Sequence, residues 1–229
     1  MRVIIFGAGS HGKVVLEILR DQGHQVLGWL DNNEARWGTR YCNLEVFGGL
    51  DYLRKCNSET EAFIVAIGHS SRRIAIGSAI ESTGVRLINA IHPSAVIMRT
   101  ATLGKGICIC AGAVIGTSTK IGDHVIVNTG STIDHDCVLE KGAWIAPGVH
   151  TAGEVTIGPG AYISTGAVLV AGVSVGEEAV VGAGAVVTRH IPPRVLALGA
   201  PARIVKEIDG SFNWQRLIDG VVEKNSTFS

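Results

Sequence analysis

The chain has 229 residues, 46% of them hydrophobic and 30 of them glycine, with a mean hydropathy of +0.31. That composition is too apolar for intrinsic disorder, and the length suffices for two modest domains that each bury a core. Twenty Lys and Arg balance twenty Asp and Glu, so no net field would hold the chain on nucleic acid or an anionic membrane. No apolar run reaches the roughly 18 residues of a spanning helix, and the start MRVIIF meets glycine too soon for a secretory leader. A soluble, cytoplasmic protein without membrane insertion is expected. The five cysteines (Cys42, Cys56, Cys108, Cys110, Cys137) include no C-x-x-C pair, which suits reduced thiols better than a disulfide framework; Cys108 and Cys110 could hold a metal or simply pack.

Residues 1–91 read as alternating strands and helices: strand Val3–Phe6, helix Lys13–Asp21, strand Gln25–Leu30, strand Ala62–Ile67, helix Arg72–Ser82 and strand Val85–Ile88. This pattern predicts a small α/β domain of Rossmann-like type, whose parallel sheet binds ligands beyond the carboxyl ends of its strands. Gly7-Ala8-Gly9-Ser10-His11-Gly12 fits G-x-G-x-x-G between the first strand and the first helix, and Asp31 ends the second strand about twenty residues on. Glycines there let the backbone approach a pyrophosphate, the helix N-terminus offers free N–H groups, and Asp31 or Asn32 can accept from a ribose or base. A complete dinucleotide fold needs six strands in two halves, and about four precede residue 90. A nucleoside diphosphate, the handle of an activated sugar, therefore fits better than NAD. His11 could donate to a phosphate or merely start the helix. Ala66-Ile67-Gly68-His69 follows a strand at the same sheet end, so Gly68 is a plausible wall for the sugar or base.

After His92-Pro93 the pattern changes. Every sixth residue from Ile97 to Val187 is Ile, Leu or Val, with Thr151 as the single exception, and the residue two before each is mostly small or β-branched. A fixed six-residue period is the signature of a parallel β-helix: each short strand turns its aliphatic and the small residue two before it inward, and the remainder turns the corner. Three hexapeptides close a triangular coil of 18 residues, so residues 92–190 supply about five coils stacked on one aliphatic column. A β-sandwich would show period two instead. The glycines after the aliphatics (Gly104, Gly116, Gly122, Gly158, Gly176, Gly182) are expected to relieve the turns. Residues 191–229 form a return segment, through Gly199-Ala200-Pro201-Ala202-Arg203, and then a stretch with Trp214, Leu217, Ile218, Val221 and Val222 at helical spacing.

Within the repeat, NTGSTIDHDC is the polar exception. His135 and Asp136 fall between the inward pairs Ser131/Ile133 and Cys137/Leu139, hence on a corner. The residue one coil later is Gly153, which predicts an open groove beside the imidazole. A His flanked by carboxylates and open on one side suits a general base. Cys137 should point inward and is a poor nucleophile. His124, His135 and His150 are 11 and 15 residues apart, not multiples of the coil, so a three-His zinc site is not expected.

The combination of FGAGSHGKVV, a short Rossmann-like domain, the hexapeptide repeat, NTGSTIDHDC and GAPAR, spanning residues 1 to about 206, resembles the bacterial sialic acid O-acetyltransferase family. The family's sugar-nucleotide N-acetyltransferase members act on UDP-, GDP- or dTDP-linked 4-amino-4,6-dideoxysugars. The resemblance implies a homotrimer of left-handed β-helices with acetyl-CoA in the groove between subunits, and a nucleotide-linked amino sugar as acceptor. It implies His135 as catalytic base and Asp136 as the carboxylate raising its basicity. Gly9, Ser10, His11, Asp31 and Asn32 match positions at the sugar nucleotide, and Trp144, Thr165 and Ala183 match positions at acetyl-CoA. Trp144 departs from the His found in several relatives at the thioester; a backbone N–H, with Gly153 as candidate, would then hold the thioester oxygen, or Trp144 would pack on the pantetheine. O-acetylation of sialic acid and a non-catalytic repeat scaffold remain as alternatives.

Overall fold

The computed structural model describes residues 1–55 and 61–208. The apolar run at the amino terminus forms β1 (Arg2–Phe6), buried on both faces as a central parallel strand must be. Next come α1 (Ser10–Asp21), β2 (Gln25–Leu30), β3 (Arg40–Tyr41), β4 (Leu44–Gly48), β5 (Glu61–Val65), α2 (Ser70–Ser82) and β6 (Arg86–Leu87). The sheet order is β3-β4-β2-β1-β5-β6, parallel except for the β3–β4 hairpin. The chain leaves β1 toward β2 on one side and reaches β5 on the other, so the crevice between the ends of β1 and β5 is a topological switch point. The hairpin is an addition to the elements expected from sequence. Gly28 admits it: a Cβ there would stand 2.5 Å from the Phe47 ring.

The hexapeptide period folds as expected into a parallel β-helix. Two-residue strands pair 18 residues apart, as in Cys108↔Ile126, Val114↔Thr132 and Lys120↔Val138. Three sheets result. Face 1 runs from Ala90–Ile91 through Trp144–Ile145 to Val195–Leu198 and the antiparallel Arg203–Glu207; face 2 runs from Val96–Ile97 to Val186–Val187, and face 3 from Thr102–Leu103 to Ser174–Val175. The prism begins at Ala90, two residues ahead of the expected start, because the Ala90 N–H already donates to Ile107 O in the next coil. The inward aliphatics and the small residues before them make one column, from Ile107 and Ile109 to Val187 and Ile191. The stretch from Trp214 to Val222 lies outside the described residues.

The corners correct one expectation. Glycines such as Gly116 and Gly158 do not supply the left-handed backbone of the turn; that falls two residues later, at every sixth position from Gly106 to Gly184, and at Ser118, His124, Asp136, Glu154 and Glu178 it is held by a residue other than glycine. Gly116 and Gly158 are small for another reason. A Cβ on either would meet the backbone of the next coil at 2.7 Å, at His135 N and Glu177 N. Stacking, not turning, demands those glycines.

The two parts share a core. Outward-facing Cys108 and Ile126 of face 1, with Cys110 beside them, pack in one cluster with Val15 and Leu19 of α1. The sulfurs of Cys108 and Cys110 are 3.8 Å apart and buried, and among the described residues no group of three or more His, Cys, Asp or Glu could hold a metal ion. Arg73 of α2 fastens the joint. Its guanidinium is fully buried and donates to Ile67 O and Gly68 O on its own side, and to His124 O and Gly142 O of the prism at 2.8 Å each. Among the described residues no helix is long and apolar enough to cross a membrane.

Candidate active site

Two sets of side chains stand apart in one chain. The first surrounds a cavity of about 1110 Å³ at the switch point, lined by the glycine loop, the end of β2, the segment Ala66–His69 and, from the prism, Asn128 and Trp144. Gly7 has φ +116° and a Cβ there would meet Ala66 O at 2.7 Å, so the loop's first glycine is required by backbone geometry. Gly9 precedes α1 with extended backbone, and a Cβ there would meet nothing within 4 Å, leaving open space before the helix. Neither Gly9 before α1 nor His69 before α2 caps its helix with a side chain. Two uncapped helix N-termini therefore face one cavity, an arrangement that favours an anionic ligand.

Ser10, His11, Asp31, Asn32 and Gly68, all singled out from sequence, line this cavity. Asp31 is more committed than expected: its carboxylate accepts from Ala8 N at 3.0 Å and Asn33 N at 2.8 Å, tying the glycine loop to the end of β2. A carboxylate has lone pairs beyond those two and can still accept from a ligand. Arg36 and Arg72, which the sequence reading did not single out, also line the cavity; Arg36 stands 3.7 Å from Asp31 and donates to Ala8 O. His11 has its Nε2 enclosed without a hydrogen-bond partner. Burial, then the nearby charge of Arg73, lowers its pKa to about 4, so the ring is neutral at pH 7. It can donate a hydrogen bond there but brings no charge. Trp144 stands beside it, with ring centroids 6.4 Å apart, and packs on Tyr162 at 5.0 Å.

Thr165 and Ala183 are exposed and stacked one coil apart on the edge between faces 1 and 2, where Gly184 N donates to Thr165 O. Trp144 lines the cavity instead, on the face that the amino-terminal domain covers.

The second set is on the edge between faces 2 and 3, opposite face 1. His135 and Asp136 are half-exposed, and His135 Nδ1 lies 2.8 Å from Asp136 Oδ2. Asp136 has φ +56°, the left-handed conformation that Asp tolerates better than most residues, and this swings its carboxylate back onto the preceding imidazole. The Asp136 hydrogen bond, with the charges of Asp134, Asp136 and Glu154, raises the pKa of His135 above the ordinary value. With Nδ1 held by the carboxylate, Nε2 is the free basic nitrogen. The expected groove is filled: Gly153 is buried under the His135 ring, and a Cβ there would stand 2.5 Å from Nε2. Lacking a side chain, the glycine seats the imidazole and is covered by it. Cys137 points inward, and burial pushes its thiol pKa up.

Comparisons with known proteins agree with this architecture. Residues 2–80 match the family model described as the PglD N-terminal domain, and residues 136–171 match the bacterial transferase hexapeptide model of six repeats. The chain is 34% identical over 159 residues to a GDP-perosamine N-acetyltransferase of Escherichia coli O157:H7, covering 67% of this chain and 71% of that protein. PerB from Caulobacter crescentus, solved with CoA and GDP-perosamine, superposes with a TM-score of 0.85 at 38% identity, over 90% of this chain and 98% of that one. The acetyltransferase domain of PglB from Neisseria gonorrhoeae FA1090, solved with acetyl coenzyme A, gives a TM-score of 0.83 at 33% identity, over 89% and 98%. Fold and site together define an enzyme, an acyltransferase of the hexapeptide class. The chain belongs to the bacterial sugar-nucleotide N-acetyltransferases that join a PglD-type amino-terminal domain to a hexapeptide β-helix.

Proposed function

We propose that the chain transfers the acetyl group of acetyl-CoA to the C4 amine of a nucleotide-linked 4-amino-4,6-dideoxysugar, with GDP-perosamine the first acceptor to test. The observation that carries this reading is the pairing of an anion-adapted cavity beneath two uncapped helix N-termini with an exposed His135–Asp136 pair on the same β-helix. The nucleoside diphosphate lies against the glycine loop, with Gly9, Ser10 and His11 at the phosphates and Asp31 and Asn32 toward ribose or base. His135 Nε2 takes the proton that the amine loses as it attacks the thioester carbonyl. The nitrogen–carbon bond forms, the carbon–sulfur bond breaks, and the proton passes from the imidazolium to the departing thiolate. Asp136 holds the ring in the tautomer that leaves Nε2 basic.

That the cavity borders face 1 while His135 occupies the opposite edge supports a site shared between chains. We infer a homotrimer in which the His135 edge of one subunit meets the cavity of its neighbour, with acetyl-CoA running along Thr165 and Ala183 between them and Trp144 packing on its pantetheine arm. Face 2 lies between the two halves and carries the outward aliphatics Val96 and Val168, 49% and 41% exposed, as a surface suited to subunit contact. Two inactive variants test this reading. Gly9→Trp blocks the cavity and His135→Ala removes the base. Refolded together in equal amounts, they restore activity at about a quarter of the sites, as random assembly of a shared-site oligomer requires. Acetyl-CoA consumption with GDP-, UDP- and dTDP-linked amino sugars is the readout. No turnover with any of them by the wild-type enzyme would remove the assigned reaction, and no restoration in the mixture would remove the shared site.

A further inference from the structure

The inner column of the prism is aliphatic or small almost throughout; its buried hydroxyls are Thr119, Ser131 and Thr151, of which Ser131 donates to Ala146 O at the edge between faces 1 and 2 while the two threonines both stand at one other corner. Thr151 is also the residue that breaks the six-residue period. Thr119 lies one coil before Cys137 and Thr151 one coil after Ile133, so the two bracket the turn 134–137 from inside the prism.

The Thr151 hydroxyl replaces a backbone bond that the other coils make directly, and the Thr119 hydroxyl closes a turn that two of the coils on this edge close through the backbone. Gly116 N donates to Ile133 O at 2.7 Å and Ala152 N to Leu169 O at 2.9 Å, the regular link from face 2 to the next coil. At Asp134 the N–H goes instead to the Thr151 hydroxyl, at 3.2 Å. The turns ending at Ala101 and Thr119 are closed by N–H donation to the carbonyl three residues back, at 3.0 and 3.4 Å. The turn 134–137 is closed through a side chain: Thr119 Oγ1 donates to Asp134 O at 2.7 Å and accepts from Cys137 N at 3.3 Å. The turn that carries His135 and Asp136 is thus braced by two hydroxyls supplied from the neighbouring coils.

The geometry points to Thr119 and Thr151 as positioning residues for the acetyl transfer, which fix the backbone of residues 134–137 so that the Asp136 carboxylate and the His135 ring meet. A β-helix of this period would hold Val or Ile at either position with better packing, so the hydroxyls sacrifice apolar burial for the geometry of the turn. Asp134 belongs to the same unit. Its backbone N–H and C=O are the groups the threonines hold, while its own Oδ1 accepts from His135 N at 2.7 Å.

The proposal rests on the acetyl-transfer reading for its kinetic test and carries a second readout that does not. Thr119→Val and Thr151→Val are each expected to keep or raise the thermal midpoint while lowering kcat by about tenfold, since small displacements of a reacting group are costly; KM for the nucleotide sugar should stay within about twofold. Thr119→Ser and Thr151→Ser, which keep the hydroxyl, should retain most of the activity. In the valine variants the His135 ring, followed by NMR titration in the full-length protein, should titrate at lower pH than in the wild type as the Asp136 contact loosens. If Thr119→Val does not fold, Thr119→Ala serves with the same readouts. Unchanged kcat and unchanged His135 titration in both valine variants would overturn the assignment, as would serine variants that lose as much as the valine ones. Absence of turnover in the wild type would speak against the acetyl-transfer reading alone, because the titration still decides the threonines' part.

Discussion

The edge that carries His135 and the cavity that carries His11 treat one side-chain type in opposite ways. On the edge the imidazole stands in solvent, hydrogen-bonded to Asp136 with further carboxylates nearby, and its proton affinity rises. In the cavity the ring is enclosed, Arg73 lies near without a carboxylate partner among the described residues, and the pKa drops to about 4. A group that must collect a proton needs the first environment. A group that must offer a neutral hydrogen bond beside phosphates gains from the second. The residue type alone distinguishes neither; its neighbours do.

The largest effect that could break this contrast is loss of the edge imidazole. His135→Ala should lower turnover by about 10² to 10⁴, the scale of a missing general base, with unaltered thermal stability because the ring is exposed. Steady-state rates beside a melting curve check both halves, and a variant with wild-type turnover would leave the edge without its assigned role.

The cavity side is tested by acid. His11 is lowered from 6.5 to about 4 in the folded chain, so the unfolded chain takes up a proton first. Stability from this residue is therefore present above the unfolded pKa and falls as pH drops from about 6.5 to about 4. The loss approaches about 3 kcal/mol below that range, at 1.36 kcal/mol per unit of pKa difference. Denaturant melts at a series of pH values should show this slope, and His11→Gln should flatten it.

A smaller effect concerns the seat of the ring. Gly153→Ala places a methyl where the His135 imidazole lies and should cost about tenfold in kcat by displacing the base, with little change in KM. The finest test sharpens the contrast by removing its cause. The Asp136 carboxylate raises the His135 pKa and a general base works only when neutral, so under the proposed role of His135 the acid limb of the kcat profile should move to lower pH in Asp136→Asn, with a modest fall in the plateau. A limb that stayed in place would assign it to another group.

Much of this is legible in the residue order alone. The glycine fingerprint, the parallel strands around it and the six-residue column follow from short-range rules: a close backbone approach excludes a side chain, and a fixed period selects which residues face inward. His135, Asp136 and Cys137 were placed on the correct sides of the corner by counting alone. Other features lay beyond that reach. The β3–β4 hairpin depends on Phe47 lying over Gly28, a contact between strands that no local pattern announces. No local pattern singles out Arg73, which is buried because four carbonyls from two domains converge on it. Gly153 was correctly paired with His135, but whether the vacated space stays open or receives the ring is settled by side-chain packing.

The sequence by itself determined the architecture, since periodicity and glycine placement act through nearest neighbours along the chain or one coil away, and those distances are fixed by backbone geometry. Only the tertiary structure decided the electrostatics and the separation of the cavity from the His135–Asp136 edge. The cavity and the His135–Asp136 edge belong to different faces of one prism, and the proton affinity of each imidazole is set by burial and by charges from segments remote in sequence. Those terms depend on which groups converge in space, and a linear order of residues does not contain them.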